Sequence, residues 1–166
     1  RPIFDAFNEC RRVNFSPGAH LVVGEVTNVV HSDESANGTP GDLPLCRNRL
    51  AQPRGTGAEI KALVDGETNI LLRLDLIESE AFEKKKAFAD VGNEKTAIVL
   101  RLCEPYMDSG RVIHTSANFS SVETCLSTLK HGLHFMGTIK DKDEFPAEYL
   151  ISKKALYGDG RPHPRG

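Results

Sequence analysis

The feature that most constrains the fold is a predicted β-hairpin at residues 58–77. Two apolar runs, AEIKALV and ILLRLDLI, flank the turn-forming sequence DGETN. Apolar residues at every second position of the later run are expected to share one face of a strand: Ile70, Leu72, Leu74 and Leu76. We therefore expect strands at 58–64 and 69–77, and the other elements of the chain must pack against this pair.

An earlier stretch, HLVVGEVTNVV, has the β-branched composition of a buried strand, which we place at 19–30. Gly24 lies at its centre, although glycine has no side chain to pack and weakens a strand. The position therefore requires a specific explanation.

Strands and helices are expected to alternate in the rest of the chain. Strands are expected at 111–116 and 133–140, and helices within 1–18, near 79–91 and near 121–131. Ser79 is a candidate N-cap for the second helix, and the third has an SSVE capping box and a stop at Gly132. The periodicity of TAIVLRLCEP fits a helix or a strand equally.

Two regions are rich in glycine and proline and have no hydrophobic period. Residues 31–57 predict a long loop, and 151–166 predict a flexible C-terminal tail after a single domain at 1–150. A hairpin next to strand–helix–strand units indicates an α/β fold, in which helices pack on a mixed sheet.

Composition excludes some classes of protein. The 166 residues include 21 basic and 23 acidic ones, and this balance argues against avid binding to nucleic-acid phosphates. No apolar run approaches the roughly 18 residues of a membrane span, so no membrane partner is expected.

The first residue, Arg1, predicts a processed or excised chain. The cysteines are widely spaced without a CxxC pair and are read as reduced and mostly structural: Cys10, Cys46, Cys103 and Cys125.

Several motifs in a fixed order resemble the transposase domain of piggyBac-like elements. They are LVVGE, then PRGTGAEIKALVDGETNILLRL, then LRLCEPYMDSGRVIHTSANFSSVETCLSTLKHGLHFMGTIKDKDEFPAEYL. The resemblance covers most of residues 1–150. It implies an RNase H-like fold, with a mixed sheet and flanking helices.

The resemblance also implies that catalytic carboxylates are missing. The family's first strand reads approximately L-x-V-D-E, and Gly24 stands in place of its catalytic aspartate, with Glu25 matching the acid that follows. A second aspartate begins a motif similar to D-S/N-x-F-x-S, and Ser116 stands in its place at the start of SANFSS. Further family acids are expected beyond Gly166. Glu25 is a poor substitute because neighbouring strand residues point to opposite faces.

These losses bear on the metal chemistry of the family. Phosphoryl transfer of this kind uses two divalent cations, which carboxylates hold together with substrate oxygens. Glycine offers no ligand, and a neutral serine hydroxyl is a poor one. We therefore expect that the ancestral metal site is lost, that the domain has no cofactor and that it is not an enzyme.

A domain that keeps its fold without its chemistry is expected to act through its surface. We expect a protein-interaction or regulatory role for a transposase-derived pseudoenzyme in the nucleus or cytoplasm. One concrete version is a secreted effector that acts inside a host cell. The partner is then a protein, and DNA binding is weak or absent.

Two other functions remain open. A nucleic-acid-binding remnant would use basic residues, namely Lys84, Lys85, Lys86, Arg47, Arg49, Arg54 and the arginines of the tail. The lysine run is nevertheless more typical of a solvated helix face. A residual metal-dependent nuclease is the weaker alternative, which acids clustered around Glu25 would favour.

Other side chains that could act as metal ligands or nucleophiles are given structural interpretations. His131 and His134 are read as unpaired surface histidines, and His114 as a residue of the fold. Ser116 and Cys103 have no recognisable nucleophile motif around them. The loop acids are read as solvated turns: Asp33, Glu34, Asp141, Asp143 and Glu144.

Overall fold

The computed structural model describes residues 2–29, 46–48, 56–78 and 80–138, with the backbone alone at 26–29, 46–48 and 56–58. The elements in chain order are α1 (Pro2–Asn14), β1 (His20–Val29), β2 (Cys46–Asn48), β3 (Thr56–Asp65), β4 (Leu71–Leu76), α2 (Glu80–Glu83), α3 (Glu94–Cys103), a short 3-10 helix (Glu104–Tyr106), β5 (Val112–Thr115), α4 (Val122–Lys130) and β6 (His134–Gly137).

Within the described part of the chain, six strands form one mixed sheet in the order β2-β3-β1-β5-β6, and β4 also pairs with β3. β1 is antiparallel to β3 and parallel to β5. β6 continues the sheet parallel to β5. This arrangement confirms the predicted hairpin and the predicted α/β fold with a mixed sheet.

The two faces of the sheet differ in what they contact. The covered face packs on α3, and its fully buried residues include Leu21, Val23, Leu63 and Ile113. Strand alternation sends the intervening positions to the opposite face, called the second face below. The second face carries His20, Val22, Gly24, His114 and Met136.

The ambiguous segment TAIVLRLCEP belongs to the helix α3. The Asn93 side chain caps α3 by accepting hydrogen bonds from the backbone N–H groups of Lys95 and Thr96. All residues from Thr96 to Cys103 are buried. A helix that is buried on every side has no clear amphipathic period, which is why periodicity could not identify it.

The last helix and its end at Gly132 are confirmed, but its N-cap lies one residue later than the predicted capping box implies, because that box would use Ser120 and Glu123. Ser121 is the N-cap of α4, since its hydroxyl accepts a hydrogen bond from the Thr124 N–H at 3.0 Å. Gly132 ends the helix with φ of +67°, and a Cβ there would lie 2.7 Å from the Asp108 Cα. Both the conformation and the close approach therefore require glycine.

The helix expected near 79–91 is wrong beyond its first turn. α2 covers only Glu80–Glu83, and Phe88 adopts φ of +61°, which a helix cannot contain. The Lys86 ammonium turns inward and lies 3.0 Å from the Asp75 Oδ1 and 2.7 Å from the Glu83 Oε1. These tertiary ion pairs override the local helix signals, and Lys86 is therefore not part of a solvated helix face.

The loop expected at 31–57 is wrong at two places. Residues Cys46–Asn48 form β2, which pairs with the start of β3, and β3 itself begins at Thr56. Pairing with a neighbouring strand satisfies backbone groups without any apolar period, so no sequence pattern marks these strand residues. The remainder of this segment and the tail at 151–166 lie outside the described residues. No helix in the described ranges is long and apolar enough to cross a membrane.

α1 packs against β4. The Asn8 side chain forms two hydrogen bonds with Leu74, donating from Nδ2 to the carbonyl at 2.9 Å and accepting from the N–H at 2.8 Å. These bonds satisfy backbone groups that an edge strand would otherwise expose.

The Asp65 carboxylate connects the start of β1 to the hairpin turn. It is fully buried and accepts hydrogen bonds from the Gly18 N–H, the Thr68 N–H and the Thr68 hydroxyl, at 2.9, 2.9 and 2.5 Å. The Thr68 hydroxyl, followed by the backbone N–H groups, holds the pKa of Asp65 below its ordinary value against the opposing effect of burial. The folded state therefore favours the ionised carboxylate.

Asp65→Asn is expected to lower the free energy of unfolding at pH 7 by about 1–3 kcal/mol, because the amide nitrogen cannot accept and either the Gly18 N–H or the Thr68 donors lose their acceptor. Since the pKa is depressed in the folded state, the carboxylate stabilises the protein above pH 4 and loses that effect as the pH falls through the folded pKa. Urea unfolding at pH 7 and at pH 3 should show the difference between wild type and variant shrinking at the lower pH.

Asp90→Asn is the matched control, because Asp90 is exposed. It should change the free energy of unfolding by less than about 0.5 kcal/mol. Equal stability of wild type and Asp65→Asn at pH 7 would contradict the role assigned to the carboxylate.

Candidate functional site

The two positions singled out in the sequence lie side by side. Val23 on β1 pairs with Thr115 on β5 in parallel register, so the residues that follow this pair are Gly24, inside β1, and Ser116, directly after the end of β5. Neighbouring strands are about 4.8 Å apart, and side chains at these positions are within reach of one shared ion. The assignment of both to one site needs this adjacency.

Gly24 is surrounded by open space. A Cβ placed there meets no heavy atom within 4 Å, and the backbone does not adopt a positive φ. Neither packing nor backbone conformation therefore requires glycine. A larger side chain, including a carboxylate, fits at this position.

Glu25 is bound by cations and donors on the covered face. Its Oε1 lies 2.6 Å from the Lys61 Nζ and accepts a hydrogen bond from the Asn118 Nδ2, also at 2.6 Å. The Lys61 ammonium also pairs with the Glu59 Oε1 at 2.6 Å and lies 5.3 Å from the centre of the Phe119 ring. Only 5% of the Lys61 side chain is exposed, so the two carboxylates compensate a buried positive charge.

Asn118 extends this polar network to α3. Its Oδ1 accepts a hydrogen bond from the Lys95 Nζ at 3.0 Å, while its amide donates to Glu25. The loop after β5 is thereby fixed between β1 and the first turn of α3. In this structure Glu25 is a partner for an ammonium and an amide, and it points away from the face that carries Gly24.

Hydrogen bonds of two hydroxyl groups hold the end of β5, and β6 lies in close contact with these groups. Thr115 and Ser120 share a hydrogen bond between their hydroxyl oxygens at 2.8 Å, and Ser120 Oγ also donates to the Ser116 carbonyl at 2.9 Å. Gly137 on β6 packs against them, since a Cβ there would lie 2.3 Å from Ser120 Oγ and 2.8 Å from Thr115 Oγ1. The glycine at 137 is thus sterically required, whereas the one at 24 is not.

The predicted basic residues do not form one described surface. Lys84 pairs with Glu80 on α2, Lys85 lies over the Phe82 ring, and Lys86 belongs to the buried ion-pair network with Asp75. Of the three lysines, Lys84 and Lys85 are accessible to a phosphate without disruption of the fold. Arg47 lies on β2 with its backbone alone described, and Arg49 and Arg54 lie outside the described residues.

The remaining candidates are also placed. Burial raises the pKa of the Cys103 thiol to about 12, so this cysteine is not a nucleophile at neutral pH. His131 ends α4 against the Phe88 ring, and His134 is exposed on β6. His114 has a partner that sequence reasoning missed, because its Nε2 lies 2.9 Å from the Nδ1 of His20. The loop acids lie outside the described residues: Asp33, Glu34, Asp141, Asp143 and Glu144.

The fold is that of an RNase H-like transposase domain. The chain is similar to a piggyBac transposase, solved by cryo-electron microscopy as a synaptic complex with hairpin DNA, with a TM-score of 0.70 and 22% sequence identity. The similarity covers 92% of this chain and 30% of that one, so the chain spans less than a third of the solved transposase.

The family comparison agrees with the fold. Residues 1–160 match the family described as Transposase IS4, and the chain therefore belongs to this transposase family. No curated protein matches the chain.

The contrast between the two glycines gives a test of the site geometry. Gly24→Ala is expected to raise the free energy of unfolding by about 0.4–1 kcal/mol, because it restricts the unfolded chain without a clash. Gly137→Ala should lower it by about 1–3 kcal/mol, because the Cβ must displace hydrogen-bonded hydroxyls. Urea unfolding of the two variants measures both effects, and a destabilised Gly24→Ala would show that this position is packed.

Proposed function

We propose that this chain is a catalytically inactive transposase-derived domain that acts by protein interaction. The observation that supports it is the pair formed by Gly24 and Ser116. They directly follow a paired position of β1 and β5, they match the family's catalytic aspartates by resemblance, and neither supplies a carboxylate. Two-metal phosphoryl transfer needs such ligands on both cations.

The nearest carboxylate supports the same proposal. Glu25 is engaged by the Lys61 ammonium and the Asn118 amide. To bind a divalent cation it would have to leave a buried lysine with less compensation, which carries a desolvation cost. The residues present at this end of β1 and β5 therefore do not fit a pair of magnesium ions.

Surface properties favour a protein over DNA as the partner. The net charge is −2, whereas binding to a phosphate backbone usually needs a basic excess. Apolar side chains on α4 are exposed, with Leu126 at 53% and Leu129 at 48%. Exposed apolar residues three positions apart lie on one face of a helix and are common in protein interfaces.

Magnesium binding tests the loss of the metal site. Millimolar Mg²⁺ or Mn²⁺ should leave the melting temperature of the wild type unchanged. Gly24→Asp combined with Ser116→Asp should be less stable without metal by about 1 kcal/mol, the repulsion of two unit charges about 5 Å apart in water. The same cations should raise the melting temperature of this double variant, because they bridge the two carboxylates.

The single variants Gly24→Asp and Ser116→Asp are the matched controls, and they should respond to the cations much less than the double variant. Stabilisation of the wild type by Mg²⁺ would count against the proposal. So would cleavage of DNA by the pure domain that depends on metal and disappears in Glu25→Gln.

The protein-interaction role is tested by affinity capture with and without nuclease treatment. We expect the recognition residues in the part of the predicted loop that precedes β2, at residues 31–45, since binding residues often lie on loops held by a rigid scaffold. Deletion of residues 35–43 should leave the unfolding transition intact and remove a nuclease-resistant partner. Deletion of 158–166, which has the same length, should retain that partner.

DNA binding is the competing outcome. The domain should bind duplex DNA only weakly and without sequence preference, with an affinity that falls steeply with salt. Submicromolar binding near physiological salt, weakened by Lys84→Gln and Lys85→Gln together, would replace the protein-interaction role with a nucleic-acid-binding one.

A further inference from the structure

Two histidines from neighbouring strands face each other on the second face of the sheet. His20 is the first residue of β1, and His114 lies in the middle of β5. The His20 Nδ1 is 2.9 Å from the His114 Nε2, and the ring centres are 5.1 Å apart with the planes tilted by 51°. His20 is exposed and His114 is partly exposed, so an ion from solvent can reach both rings.

The sheet fixes the spacing of this pair. In the parallel register His20 pairs with Val112 and Val22 pairs with His114, which makes the two histidines diagonal neighbours. Side chains on adjacent strands of one sheet hold their separation better than side chains on loops do. The pair is therefore preorganised to present two ring nitrogens to one point.

We propose that His20 and His114 form a two-histidine site for a divalent transition metal ion of the Zn²⁺, Ni²⁺ or Cu²⁺ class. A neutral imidazole has one nitrogen with a free lone pair, and in the metal-free protein one of the two facing nitrogens must carry the bridging proton. On metal binding the bridging proton moves to the far nitrogen of its own ring, which stays neutral, and the metal ion accepts the lone pairs of the two facing nitrogens. Tetrahedral Zn²⁺ with bonds of 2.0–2.1 Å holds two nitrogens about 3.3 Å apart, so the pair has to open by only about 0.4 Å.

The chemistry of this site differs from that of the family's carboxylate site. Imidazole nitrogen suits Zn²⁺, Cu²⁺ and Ni²⁺, whereas Mg²⁺ prefers oxygen ligands. Among the described residues, no group of three or more histidine, cysteine or acidic side chains is arranged to hold a metal. Among the described residues the site therefore offers two ligands, and water can fill the other positions of the ion. The inference does not depend on the proposed function, because the ligands are neither Gly24 nor Ser116.

Metal titration of the whole chain, prepared without an affinity tag, tests the site. Isothermal titration calorimetry with Zn²⁺ should show one saturable site, and Zn²⁺ should raise the melting temperature while Mg²⁺ does not. Because Cys10 has an exposed thiol and Cys125 is partly exposed, both are replaced by serine in every sample. His20→Gln and His114→Gln should each weaken Zn²⁺ binding about tenfold or more, as expected for loss of a ligand.

His131→Gln is the matched control, since this histidine ends α4 against Phe88 and should leave the affinity unchanged. Nitrogen NMR of the imidazole rings in the protein with both histidines intact gives a readout that does not depend on how the variants fold. Zn²⁺ should shift the His20 Nδ1 and the His114 Nε2 above all. Absence of saturable binding at millimolar Zn²⁺, unchanged affinity in His114→Gln, or shifts confined to other histidines would overturn the proposal.

Discussion

The parallel pairing of β1 with β5 determines most of this structure. β1 is the central strand, antiparallel to β3 from Leu21 to Val29 and parallel to β5 from His20 to Val23. Parallel neighbours cannot be joined by a tight turn, so the chain between them must cross over the sheet. In this protein the crossover includes β4 and α3, and α3 fills the core above β1. The same pairing brings Gly24 next to Ser116 and His20 next to His114.

Local signals in the sequence predicted the elements whose stability is itself local. Local residues mark the hairpin turn after Asp65 and the helix end at Gly132, and both are predicted correctly. The N-cap of α4 is Ser121, one residue after the Ser120 that the capping box implies. α2 ends early because of partners distant in sequence, since Lys86 reaches Asp75 across the hairpin. The helical state of α3 was hidden because burial on all sides removes the period on which prediction depends.

The candidate site was predictable only in part, because a local sequence signal marks one of its residues and not the other. Gly24 was conspicuous because glycine in an apolar strand needs an explanation, but Ser116 stands out only through the resemblance to transposases. No sequence pattern could reveal that Lys61 and Asn118 bind Glu25, or that His20 meets His114, which is 94 residues away. Such contacts are set by strand register, and register becomes known only once the strands are paired.

If catalysis is lost as proposed, the fold is expected to need no cation at the end of β1. Two carboxylates on neighbouring strands repel each other unless a cation lies between them. A metal site of this kind therefore lowers the stability of the metal-free protein, and in return it supports catalysis. In the proposed function, Gly24 and Ser116 stand in place of both carboxylates, so neither charge is present at these positions. On the covered face, the positive charge that pairs with Glu25 and Glu59 is the Lys61 ammonium, which is part of the protein and not a bound cation. Charge compensation at the centre of the sheet is then internal to the chain, and the domain is expected to keep its surface in the same form whether or not magnesium is present.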